Sequence, residues 1–140
     1  MTTLLTFHSI VRWLVILAAV TAVVKLAFGW AQKQPFDKLA SALTAVFSGL
    51  MDTQLLLGLL FFIISGASIP GGFGLRYRWE HLTLMLFAVI VGHLPAMWKK
   101  QPDELRYRNT LLAILGALVL VAMGVSLLPG NRWLQISGLF

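Results

Sequence analysis

Three histidines and the charged residues near them hold most of what this sequence offers for chemistry. His8 and Arg12 lie one helical turn apart in "FHSIVRWLVI", and Arg76, Arg78, Glu80 and His81 crowd the start of "LRYRWEHLTLM". Both stretches are otherwise apolar. A neutral imidazole is the commonest metal ligand, and a guanidinium pairs well with carboxylates. Two imidazoles at one height on two helices, ringed by arginines, are the donor set of a b-type haem. His8 and His81 would bind the iron from opposite faces of the ring, with Arg12, Arg76 and Arg78 facing the propionates. Phe7, Trp13, Trp79 and Met85 are the candidates to line the macrocycle. The plainer reading treats the histidines as amphipathic residues at a membrane interface, with Arg and Trp as anchors.

Other ionisable residues carry weaker signals. Asp52 falls inside an apolar run, and Ser41, Thr44, Ser48 and Asp52 share one helical face, so the stripe is expected to point into a bundle. There Asp52 would be a hydrogen-bond partner for Gln54, Ser48 or Arg12. Glu80 reads as a surface partner for Arg76 or an acid at a helix N-terminus. At ~1.5 Å per residue, His93 lies roughly 18 Å beyond His81 along the same helix. No other histidine matches its depth, so a second haem there lacks a ligand. His93 then reads first as a hydrogen-bonded bundle residue, otherwise as a proton or quinone contact or a ligand to a five-coordinate pigment. Asp52 and Glu80 are further candidates for proton or quinone contacts.

These residues need elements to hold them, and composition says which. Apolar residues make up 59% of the chain and charged ones 11%, against about 25% charged in a soluble domain. Mean hydropathy is +0.85. Four apolar runs, about 4–30, 39–65, 79–98 and 111–128, are near or above the ~20 residues that cross ~30 Å of hydrocarbon. Lipid leaves helix as the only state for such runs. The expectation is an all-α, integral membrane four-helix bundle forming one domain, with an interfacial tail at 130–140 anchored by Trp133. Small residues Ala113, Gly116, Ala117 and Gly124 on the fourth run suit close helix contact, expected nearest Gly116. Lys25, Lys33, Lys38, Lys99, Lys100, Arg106 and Arg108 outnumber Arg12, Arg76, Arg78 and Arg132, so the positive-inside rule puts both termini on the external, periplasmic side. Odd-numbered spans then run parallel, which brings His8 and His81 to similar depth. "LRYR" recurs at Leu75–Arg78 and Leu105–Arg108, ahead of the third and fourth spans, as interface chemistry.

Several classes are excluded. The absence of cysteine removes disulfides, cysteine-ligated clusters and thioether-linked haem. The 11 basic residues against 5 acidic ones lie in short loops and at span ends, where topology rather than nucleic acid calls for them. Gly71, Gly72 and Gly74 lack the Lys of a phosphate loop. The first run is too long for a cleaved signal and has no basic segment before it.

The set "HSIVRW", "DTQLLLG", "EHLTLM" and the later His93 resembles a group of small bacterial four-helix membrane proteins labelled cytochrome-b-like. The likeness covers the first three spans. It implies haem binding or electron transfer, with His8 and His81 matching the two recurring histidine motifs. The chain departs from multi-haem cytochromes b, which carry paired histidines on two helices, and so has room for one haem at most.

The leading expectation is a b-type cytochrome-like subunit of the bacterial inner membrane. One haem b would lie between the first and third helices near the external face, passing electrons in a respiratory or photosynthetic chain as an accessory rather than a stand-alone enzyme. The alternatives are a cofactor-free structural subunit of a membrane redox complex and a quinone-binding element using His81, Glu80 or Asp52. The partners expected are lipid and other subunits of such a complex.

Overall fold

The computed structural model describes residues 2–130 and 132–133. It contains four long helices, α1 (Thr2–Ala31), α2 (Lys38–Ser68), α3 (Arg76–His93) and α4 (Asp103–Ser126), with no strand among the described residues. A 3-10 segment, Leu94–Trp98, extends α3, and with it all four helices are long and apolar enough to cross a membrane. The chain is a multi-pass, all-α membrane protein.

The helix ends follow local chemistry. Lys33 adopts φ 51° beyond α1, and Gln34 N–H donates to the Gly29 carbonyl at 3.0 Å, closing a left-handed C-terminal cap. Asp37 starts α2 by accepting from the Ala40 N–H at 2.8 Å. Pro95 has no N–H to continue α3 and lies in the 3-10 segment. Helix α4 begins at Asp103, just after Pro102, about two turns before the apolar run at 111. Its first turn carries Asp103 and Glu104, where acids favour the helix dipole, and Tyr107 is already buried.

Helix α1 packs on α2 and α4, and α3 packs on the same two, so α1 and α3 face each other across the diagonal. Ala19, Ala22, Ala88 and Ala117 are fully buried; their small side chains let the backbones approach, which is how helices associate without a hydrophobic drive in lipid. Phe47, Leu26, Ile114 and Tyr107 fill the half of the bundle near the α1–α2 and α3–α4 connections. There Tyr107 Oη donates to the Pro35 carbonyl at 2.9 Å. A Cβ at Gly29 would overlap its ring.

Of the two glycines on the small-residue face of α4, the one that makes room for α3 is Gly124 rather than Gly116. A Cβ at 124 would overlap the Met85 methyl, whereas one at 116 would make ordinary contact with Val91. The two "LRYR" copies both lie at helix starts but bury different members. In the first, Arg78 is buried; in the second, Tyr107 is.

Candidate functional site

The half of the bundle away from Tyr107 is not filled. His8 and Arg12 from α1, Gln54 and Gly58 from α2, His81 and Met85 from α3 and Val121 and Val125 from α4 line a cavity of about 250 Å³. Ligand pockets commonly run from about 300 Å³ upward, so this one is small. Leu82, Phe61 and Phe62 add apolar wall.

Both histidines face this common space, each tied to a different even-numbered helix. His81 Nδ1 lies 2.8 Å from the Gly124 carbonyl oxygen. A carbonyl only accepts, so Nδ1 carries the hydrogen, and Nε2 has no partner among the described residues. His8 Nε2 lies 3.2 Å from the Gln54 amide nitrogen, which only donates, so His8 Nε2 offers its lone pair. That leaves His8 Nδ1 and Gln54 Oε1 buried without a hydrogen-bond partner among the described residues. Gly58 gives His8 its room, since a Cβ there would come within 3.0 Å of the ring.

The arginines divide in a way the sequence did not indicate. Arg12 lines the cavity and donates to the Trp133 carbonyl at 3.4 Å. Arg132 lines it too. Arg78 reaches the cavity wall, but its guanidinium is spent on structure. It donates to the carbonyls of Gly72 at 3.1 Å and Phe62 at 2.9 Å and to the Ser65 hydroxyl, fastening the α2–α3 loop to the end of α2. Arg76 is not part of the site; it is 90% exposed and pairs with Glu80, four residues on. Glu80 is therefore a surface partner, outside the cavity.

Of the residues expected to line a macrocycle, Met85 does. Phe7, Trp13 and Trp79 do not; all three are exposed, and Trp79 donates its indole N–H to the Phe73 carbonyl. Phe61, Phe62 and Tyr77 take that place.

The polar stripe on α2 also needs correction. Ser41 and Asp52 are exposed, Ser48 donates to the Gly92 carbonyl at 3.0 Å, and Asp52 Oδ1 lies 2.7 Å from His93 Nε2. The stripe runs along the outer α2–α3 seam. Its partner is His93, not Gln54, Ser48 or Arg12. Two residues apart on a helix is about 200° of rotation, so with Gln54 turned inward Asp52 must turn outward.

Most of the tail expectation, at 131 and 134–140, lies outside the described residues. Trp133 packs against the core. Among the described residues there is no cluster of three or more His, Cys, Asp or Glu side chains able to hold a metal. No family model, curated protein or solved structure matches the chain.

Proposed function

We propose that the chain is a b-type cytochrome-like subunit that holds one haem b between α1 and α3. The observation that carries this is the shared cavity of His8 and His81. They come from diagonally opposed helices, and the Gly124 carbonyl accepts from His81 Nδ1 so that Nε2 stays free, as a ligating histidine is commonly held by a hydrogen bond from its other ring nitrogen. The two unpartnered buried atoms, His8 Nδ1 and Gln54 Oε1, mark a site short of a polar occupant. His8 and His81 would hold the haem iron, Arg12 and Arg132 are the lining cations available to its propionates, and Met85 would supply apolar wall. The bound haem would supply a one-electron couple. The cavity is small, and the Gln54 amide would have to leave His8 Nε2 for iron to take that nitrogen.

The setting that goes with this function is a bacterial inner membrane, with both termini external by the distribution of Lys and Arg and with other subunits of a redox complex as partners. The test is the absorption spectrum of the purified chain after titration with haemin. A reduced α-band in the wild type that is lost in both His8→Ala and His81→Ala supports the reading. No band, or a band indifferent to both substitutions, overturns it.

A quinone in the same cavity is the second reading. It is favoured by the Gln54 amide, which already occupies the His8 nitrogen that iron would need and is itself a carbonyl-binding donor. Photolabelling of the cavity by a quinone analogue, in protein that takes up no haem, would select it.

A further inference from the structure

The Asp52–His93 pair lies outside the cavity, and its position is unusual. At ~1.5 Å per residue, Asp52 is roughly 21 Å along α2 from Lys38, well inside the apolar span. Yet its side chain is 53% exposed and that of His93 46%. Around them the surface is hydrocarbon: Val46, Leu56, Leu86, Ile90 and Met97 are all exposed. Ionisable groups in membrane helices face a bundle interior or a polar cavity because lipid does not solvate them. This pair faces neither.

We infer that the α2–α3 face carrying Asp52 and His93 is the contact between two copies of this chain. The pair identifies the occupant. Among the described residues, Asp52 Oδ1 and His93 Nε2 bond to each other, while Asp52 Oδ2 and His93 Nδ1 have no partner. One acceptor and one ring nitrogen remain side by side. A twofold interface brings each patch against itself, and an acid beside an imidazolium is its own complement. With hydrogen on both ring nitrogens, His93 Nε2–H donates to Asp52 of its own chain and Nδ1–H donates to Asp52 Oδ2 of the other copy. A different protein would need a matching base and acid of its own.

Gly49 supports the same face. It is exposed in mid-helix, where glycine is a poor helix former, and a Cβ there would meet nothing within 4 Å. By contrast, Gly29, Gly58, Gly66 and Gly124 each make room for a side chain of the same bundle. Nothing among the described residues calls for a glycine at 49. A second backbone drawn close against α2 does.

The chain has no cysteine, so a single introduced one can form a disulfide only with another copy. The experiment uses the full chain in nanodiscs and in mild detergent, with mass determined by light scattering. The wild type is expected to be a dimer. Leu56→Cys, one turn from Asp52, should cross-link at least tenfold faster than Leu17→Cys on the far side of the bundle. Asp52→Leu with His93→Leu should reduce the cross-link at least tenfold, and the exchanged pair Asp52→His with His93→Asp should retain it. A monomeric wild type, equal cross-linking at 56 and 17, or a dimer in folded protein indifferent to the double Leu replacement overturns the inference. A wild type that dimerises only with another polypeptide overturns it as well. None of these outcomes depends on what fills the cavity.

Discussion

His81 and Gly124 form a unit: the imidazole donates from Nδ1 to the glycine carbonyl at 2.8 Å, and the missing Cβ lets α3 close on α4 there. The atom nearest a new methyl is the far end of Met85, which can rotate away, while Leu84 and the His81 ring would be met at ordinary distances. Gly124→Ala should therefore change stability by less than ~1 kcal/mol. Gly124→Leu has no such outlet and should cost about 1–3 kcal/mol by overpacking. The ¹⁵N shifts of His81 report the bond directly. Its Nδ1–H tautomer should persist in the Ala variant and be lost in the Leu variant, and persistence in both would refute the coupling.

Gln54 separates the two readings of the cavity. If the site takes haem, the amide competes with iron for His8 Nε2, and removing it relieves the competition. A neutral hydrogen bond is worth about 0.5–1.5 kcal/mol net, so Gln54→Leu should raise haemin affinity up to roughly tenfold. If the site takes quinone, the same variant should lose affinity by a similar factor. Paired titrations of wild type and Gln54→Leu with haemin and with a quinone analogue give the sign.

The spans were legible because lipid imposes one backbone solution on any long apolar run, and the diagonal placement of His8 and His81 follows from four short-looped helices. The handedness of each polar side chain was not. Asp52 and Gln54 are both polar residues of α2, two positions apart, and only one can face inward. Hydrophobic periodicity cannot choose between them in a helix that is apolar all round. The inward row Phe47, Met51, Phe62 and Ser65 shows the answer only after packing. The arginines failed for a related reason. Arg76 and Arg78 are neighbours in "LRYR", yet one turns to solvent and the other pins the loop through Gly72 and Phe62. Arg132, far away in sequence, joins Arg12 in lining the cavity.

At the opposite end of the bundle, Tyr107 is held by the Pro35 carbonyl and by the gap at Gly29. Tyr107→Phe leaves the ring in place and removes one buried hydrogen bond, for a loss of about 1 kcal/mol. Gly29→Ala pushes against a rigid ring and should cost more, about 1–3 kcal/mol. Lys33→Gly should act in the other direction. The left-handed backbone at 33 strains any residue with a Cβ by roughly 1 kcal/mol, and glycine removes the strain. Unfolding in mixed micelles should order these variants as Lys33→Gly, wild type, Tyr107→Phe and Gly29→Ala, from most to least stable. Any other order contradicts the local accounts.

Asp37 gives the connection between α1 and α2 its response to acid. Its carboxylate accepts from Lys25 Nζ at 2.7 Å and from the Ala40 N–H at 2.8 Å. The hydrogen bond from Lys25, with the Ala40 N–H second, holds the Asp37 carboxyl below the usual carboxylate range. A carboxyl depressed in the folded state stabilises fully above its unfolded value, about 3.9, and that contribution fades as pH falls through the lower folded value. The wild type should therefore lose an increment of stability below about pH 4 that Asp37→Asn, which has no carboxyl to protonate, does not lose. Added salt should shrink the increment, because the pair is exposed to solvent. Unfolding midpoints from pH 6 to pH 3, at low and high salt, measure it. Parallel acid profiles for the two proteins would show that the Lys25–Asp37 pair contributes nothing to the fold.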